Sequence, residues 1–563
     1  MISVNAMRIP AEISSSDHHL TLVRWDNPDA LGKDEVVTGG ELRFGVPKLP
    51  GVRGMQSLCS IVLLMFPSAP ALAQQREISA LLSEADRLFM LYDFWKALPR
   101  YAKAERLCAQ IGDKRNELYA KISQFPADPG TLSFPEISRY LDKVLETPLA
   151  VSDPQLRLRC LIVKGVANIY FDVPSSADIW HKVQALAAEL NDGTWRSRAS
   201  AELSIGAFLN TDYSAAVKLI SNAIYETQAA GDQAGLVRAL SLLARGYGEL
   251  GRHEEAVAYA DQALRRSESA TEFPFASAAY AAKIQGLIGL GRLAEARQLM
   301  DRSMEQVSQR MHCCPDLAVC AGMLAQAEGK VADAIKLYNA AADLCKRYGI
   351  PGYYGNALAK LTRLYLDMGQ VQAADDMIMR GIDSNRRVGD IFVLPVRLAL
   401  AADVKLRLGK KVEARELLEE ATDISEAMLV NAPTVTLKSS LISFMNDLYV
   451  SRFKLAAANP AIAFQVLEEA RASTTAQLVR TGRGEVSSTA IEKRLVEIQK
   501  KLLQARTSAE RQELLQQLFY AEHSLAPVLF AQYPAATIPA TLTTRSTFRM
   551  LSAGWPVPQR LSP

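Results

Sequence analysis

Arg238 and Arg245 stand seven residues apart, with Ser241 between them, and Asn356 and Arg363 repeat the seven-residue spacing farther along. Seven residues make two turns of a helix, so each pair projects from one helical face. A guanidinium grips a carboxylate through two parallel hydrogen bonds, so a face carrying arginines suits acidic segments or the terminal carboxylate of a peptide. A second group, His312-Cys313-Cys314 with Cys320 and Cys345, has the side chains of a metal site. Adjacent cysteines do not match the Cys-x-x-Cys spacing of zinc centres, and His18-His19 reads as part of a solvated tail. A phosphate-cradling glycine loop with its lysine, a dinucleotide fingerprint and a helical His-Glu-x-x-His are all absent from the sequence. No metal and no cofactor are expected.

The elements that must carry these residues repeat. Gly251, Gly291, Gly329, Gly369 and Gly409 lie 40, 38, 40 and 40 residues apart. Five residues after each comes Ala256, Ala296, Ala334, Ala374 or Ala414, and twelve after each comes Ala263, Ser303, Ala341, Gly381 or Ala421. Thr211 takes the glycine slot one step earlier, followed by Ala216 and Ala223, and Tyr92 takes it near the start, followed by Ala97 and Ala104. Each unit holds two helix-length amphipathic stretches, Leu236 to Glu249 and Glu254 to Arg266 in the clearest case. Glycine suits the turn between them, because the residue after a helix end often takes a left-handed conformation. The small residues at offsets five and twelve share one face of the second helix and let a neighbour approach closely. One such pair cannot bury its apolar stripe alone, so pairs must stack.

Glycine, then alanine, then a small residue, with Tyr247 and Tyr365 four residues before their glycines, resembles the tetratricopeptide repeat, in a long variant. The resemblance implies an all-α, right-handed tetratricopeptide-type helical solenoid whose concave face is lined by first helices. It places Arg238, Ser241 and Arg245 of one unit, Asn356 and Arg363 of another, and Arg198 of the unit at Thr211 on that face. It implies protein or peptide partners, acidic ones being the complement of the arginines. Slots at Tyr92, near Thr131, near Asp172, at Thr211, at the five glycines and near Asn459 give about ten units over 77–480.

Outside the array the texture differs. Residues 1–54 hold Pro10, Pro28, Pro47, Pro50 and Gly39-Gly40 without helical period, and read as disordered or as an extension from a mis-assigned start. Residues 55–73 contain nine uncharged residues, Leu58 to Phe66, then Ala71-Leu72-Ala73, a signal-peptide-like pattern too short to span a bilayer. If that segment is the true N-terminus the protein is secreted or periplasmic, and otherwise cytoplasmic. Export would also allow a disulfide between Cys345 and Cys313 or Cys314. A longer first helix is expected over Val435 to Ala456 with its partner over Ala461 to Val479. Over 487–528, Ile491, Leu495, Ile498 and Leu502 form a seam among charges, and Leu514, Leu515, Leu518 and Leu525 a second, giving a C-terminal charged helical hairpin. Residues 529–563, with Pro534, Pro539, Pro556, Pro558 and Pro563, read as a disordered tail.

Repeat units, a pair containing Ala461-Ile-Ala-Phe-Gln-Val-Leu-Glu-Glu-Ala-Arg471 and a charged hairpin, in that order, resemble the front part of bacterial CHAT-domain proteins. In that family a caspase-like protease domain follows. Here the last histidine is His523 and no cysteine lies beyond Cys345, so none of that family's catalytic residues carries over and no enzyme activity is expected. The alternative to a free scaffold is then a regulatory arm of a CHAT-type cysteine protease whose catalytic domain is truncated here or encoded separately. Lys and Arg total 64 against 61 Asp and Glu, with no basic block, which gives no footprint for nucleic acid. Mass spectrometry of the native protein should find an N-terminus at Gln74; abundant peptides from residues 1–50 would overturn the export reading.

Overall fold

A computed structural model describes residues 69–127, 132–270, 276–307, 314–432 and 434–472, with single positions between 494 and 521. The expected extension at 1–54, nearly all of the segment at 55–73 and the tail at 529–563 lie outside the described residues. Of the expected hairpin only separate positions are described, among them helical Arg494, Ile498, Leu514 and Leu518. Elsewhere the chain is an all-α helical repeat fold, with no strand among the described residues.

Its helices run α1 Ala69–Met90, α2 Phe94–Ile111, α3 Lys114–Gln124, α4 Phe134–Leu145, α5 Pro148–Ser152, α6 Pro154–Asn168 and α7 Val173–Glu189. Then come α8 Gly193–Leu209, α9 Tyr213–Ala229, α10 Gln233–Glu249, α11 His253–Ser269, α12 Ser277–Gly289, α13 Leu293–Val307, α14 Pro315–Ala327 and α15 Val331–Tyr348. The last are α16 Pro351–Asp367, α17 Val371–Val388, α18 Leu394–Arg407, α19 Lys411–Asn431, α20 Val435–Phe444, α21 Asn446–Ala456 and α22 Pro460–Ala472. Among the described residues no helix is long and apolar enough to cross a membrane.

Every regular reversal uses one left-handed residue. Gly251, Gly291, Gly329, Gly369 and Gly409 have φ between 72° and 76°, and Tyr92 and Thr211 take the same conformation at 56° and 64° despite their side chains. The next N–H then reaches back five residues, as in Arg252 to the Tyr247 carbonyl (2.9 Å) and Asp212 to the Ala207 carbonyl (2.8 Å), closing the helix end. A second left-handed series, Gly112, Asn191, Gly231, Gly349 and Gly389, turns the chain between units. In the first half an aspartate follows directly: Asp93, Asp113, Asp192, Asp212 and Asp232 each cap the helix they start, as Asp212 Oδ1 does on the Ala215 N–H at 3.0 Å. At Arg252, Arg292 and Lys410 that cap is missing, and the residue pairs instead with Glu255, Glu295 and Glu413 in the first turn.

The small columns form the floor of the packing. Ala256, Ala296, Ala334, Ala374 and Ala414 are each fully buried, so second helices meet their neighbours without a side chain between. The stack also returns on itself. One hydrophobic cluster joins side chains of Ala85–Leu203 to others of Val319–Leu364. The N–H groups of Ile391 and Phe392 both donate to the Leu209 carbonyl (3.2 and 3.1 Å), and the Phe208 and Phe392 rings lie 4.7 Å apart. A Cβ on Gly349 would stand 2.7 Å from Pro135, and one on Gly389 2.9 Å from Pro174, so both glycines also make room for an earlier unit.

The helices bear on three sequence expectations. α1 starts at Ala69, ahead of Glu77, and takes in Ala71-Leu72-Ala73; Pro70 sits in its first turn, where proline is accommodated. Val435 to Ala456 is not one helix but α20 and α21, broken at Met445. There Asp447 stands in the new first turn, near the positive helix end, and accepts a hydrogen bond from Arg363. The partner of α20 and α21, expected over Ala461 to Val479, is described as α22 to Ala472, and 473–480 lie outside the described residues.

Gly409 has open space where a Cβ would stand, so replacing it tests conformation alone. Gly409→Ala should lower stability by about 1–2 kcal/mol through left-handed strain, read as a lower thermal midpoint. Gly248→Ala, inside α10 with its nearest neighbour at an ordinary 3.7 Å, is the control and should shift the midpoint less.

Candidate binding site

First helices supply the inner face, and one register on them, thirteen residues before a reversal, is polar in several units. It holds Arg159, Arg198, Arg238, Asp316 and Asn356, and Ala278 and Val396 before Gly291 and Gly409. Arg159 and Asp316 were not among the expected residues, although the same offset from Asp172 and Gly329 reaches both. The candidates do not form one bare cationic strip. Arg198 is 2 % exposed and grips Asp232 with two hydrogen bonds of 2.8 and 2.7 Å, its guanidinium lying over Tyr92 and Trp195. Arg238 holds Glu202 in the same way at 2.8 and 2.9 Å. Arg159 donates to Asp86 at 2.8 Å, and the Tyr101 and Tyr119 hydroxyls converge on the same carboxylate oxygen. Ser241 is buried and donates to the Val237 carbonyl inside its own helix (2.6 Å), while Arg363, partly exposed, pairs with Asp447. The arginines expected to stand as exposed charges are thus largely answered by acids of neighbouring units.

Arg245 and Asn356 are different. Because the stack returns on itself, the first helices α10, α12, α14, α16 and α18 surround a chamber of about 230 Å³, which they line with Arg245, Glu249, Asp316, Lys360 and Arg397. A second cavity of about 150 Å³ shares Arg245, Glu249 and Asn356 and adds Asp390 and Phe392. The Arg245 guanidinium lies 5.1 Å from the Tyr353 ring centre, and Arg397 donates to Asn356 Oδ1 at 2.8 Å. Burial pushes the Asp390 carboxyl up to about 7, with Glu249 adding to it and Arg397 opposing. Burial likewise raises Asp316, against the pull of Arg245, and lowers Lys360, with Arg397 adding. A third cavity, about 160 Å³, is bounded by Tyr92, Phe94, Trp95, Phe134, Tyr170 and Arg238, with Ser277 also in its wall.

Cys314 and Cys345 are both buried and no bridge joins them, while Cys313 and His312 lie outside the described residues. Burial pushes the Cys160 and Cys345 thiols up to about 12, far from a reactive thiolate. Cys320 donates weakly to the Ala281 carbonyl at 3.6 Å.

The family model of the tetratricopeptide repeat matches residues 237–269, which contain Arg238, Ser241, Arg245, Gly251 and Ala256. The match covers one repeat of that family. It comprises nearly all of α10 and α11, so the repeat's first helix is the one that faces the chamber. The chain is similar in structure to a Rap protein complexed with competence and sporulation factor, with a TM-score of 0.37 and 17 % identity, covering 62 % of this chain and 99 % of that one. It is similar to yeast Tom70 at a TM-score of 0.34 and 16 % identity, covering 72 % and 97 %. It is also similar to the Cut9–Hcn1 hetero-tetramer of APC/C at 0.30 and 10 %, covering 85 % and 99 %. No curated protein sequence matches the chain.

Removing Arg198 would leave the Asp232 carboxylate, 11 % exposed, without its partner. Breaking a buried pair in this way costs about 3–5 kcal/mol, whereas an exposed one is worth about 0–1 kcal/mol. Arg198→Ala should therefore lower the thermal midpoint sharply and Arg363→Ala hardly at all; equal midpoints would show that the buried pair is not structural.

Proposed function

We propose that the chain is a non-catalytic protein–protein interaction scaffold that holds a segment of a partner protein against the inner face of its repeat array. The observation that carries this reading is the cavity beside Ser277, where Tyr92, Trp95 and Tyr170 stand close to Arg238 and Glu202. Aromatic walls with a fixed charge pair at the base suit an apolar anchor side chain flanked by polar backbone. Acidic partner segments fit less well at Arg198 and Arg238, whose charge is already met by Asp232 and Glu202. The tetratricopeptide repeat at 237–269 supports a binding role, and the raised thiols of the buried cysteines argue against a cysteine nucleophile. A regulatory arm acting on a caspase-like protease in trans would be one instance of such a scaffold. In that case the partner recovered would itself carry the catalytic histidine and cysteine.

Ser277→Trp, which places a bulky side chain in the wall of the aromatic cavity, should reduce recovery of native partners in a pull-down several-fold, while Arg265→Ala in the second helix of the repeat should not. Equal recovery with both variants would overturn this placement of the binding surface.

A further inference from the structure

We propose that the axial chamber binds a small zwitterion, a free amino acid or dipeptide that offers an ammonium and a carboxylate within one molecule. The proposal rests on reading the inner face as the binding surface, and it concerns a site apart from the aromatic cavity beside Ser277.

Room is the first requirement. The chamber measures about 230 Å³ and shares Arg245 and Glu249 with a neighbour of about 150 Å³. A single water takes on the order of 10–15 Å³ by this measure, so the space exceeds what a few bridging waters fill.

Charge is the second. Arg245, Lys360 and Arg397 line the chamber with Glu249 and Asp316, and the neighbouring space adds Asp390 and Arg252, the latter paired with Glu255. Among the described residues no ion pair joins Arg245, Lys360 or Arg397 to Glu249, Asp316 or Asp390. Elsewhere on the same face, Arg198 and Arg238 each lock onto an acid with two hydrogen bonds. Asp390 is buried and Arg245, Lys360, Arg397, Glu249 and Asp316 are half-buried, so solvent meets these charges only in part and a ligand that supplies partners is favoured. A plain anion entering the chamber would face the Glu249 and Asp316 carboxylates, and a plain cation would face three positive groups. A molecule carrying both signs meets both sets.

Side-chain chemistry is the third. Arg245 presents a planar fork that suits a carboxylate, and Lys360 a point charge beside it. Glu249 is an acceptor for an ammonium. Tyr353, Met323 and Phe444 supply an apolar wall for a side chain. The one thiol present, Cys320, is pushed well up by burial and is no nucleophile.

The test uses the full chain in titration calorimetry with each of the twenty L-amino acids and with L-alanyl-L-alanine. At least one of these should bind at one site per chain. Its N-acetyl and its carboxamide forms, each lacking one charge, should bind about ten-fold more weakly or not at all. Lys360→Met and Glu249→Gln should each weaken it about ten-fold, and Arg265→Ala should leave it unchanged. Binding by an amino acid or by the dipeptide alone would tell the two sources apart, either outcome supporting the site. Absence of binding by every zwitterion, or equal binding by the capped forms, overturns the proposal. If the chamber variants fail to fold, the capped forms on the unaltered chain still decide it. A lost partner pull-down in Ser277→Trp with zwitterion binding intact would separate this inference from the scaffold reading.

Discussion

The structure depends on reversing the chain within a single residue. A helix of about seventeen residues must end, turn and restart so that the next one lies alongside, and one left-handed position per reversal does this. At Gly251 or Gly409 the conformation is free of steric cost. At Thr211 and Tyr92 it is held by what surrounds it: Thr211 is fully buried, and the aspartate that follows each of them caps the next helix. Helix length, register of the small residues and the direction of every first helix follow from where these positions fall.

Because the first helices all point to one side, their inner faces meet when the stack curls back. That return converts what would be an open groove into enclosed spaces. It also explains the uneven fate of the arginines. Arg198 and Arg238 belong to adjacent units and find acids one unit away, Asp232 and Glu202, at contact distance. Arg245, Lys360 and Arg397 face inward across a space that their neighbours do not fill. The same side-chain type is thus structural in one place and available in another, and the difference lies in distance across the axis rather than in the helix that bears it.

Much of the fold was legible in the sequence because small residues at fixed offsets are a local signal. The glycine column marked the reversals between paired helices, and the alanine columns the contacts. The aspartates that follow left-handed residues were equally visible, and would have located the second series of turns at Asn191 and Gly231. The site was less legible for a physical reason. Helical periodicity placed Arg238 and Arg245 on one face but carried no information about what stood opposite, so pairing with Glu202 and proximity to Tyr353 could not be read. Asp390, in the connection before α18, belongs to no helical register at all. The break at Met445 was hidden because its residues keep an apolar period across it.

The bonds from Ile391 and Phe392 to Leu209 have a genetic corollary. An open solenoid is indifferent to copy number, since each unit touches only its neighbours, and tandem duplication or deletion of one forty-residue module leaves the rest in place. Here the chain from α4 to α18 is tied back on itself, at Pro135 with Gly349, Pro174 with Gly389 and Leu209 with Phe392, and these contacts must meet. Adding or losing one module inside that interval would carry Phe392 past Phe208 and misalign Gly389 with Pro174, so the number of repeats in this part of the chain is fixed by geometry, and lineages should vary it only outside that interval.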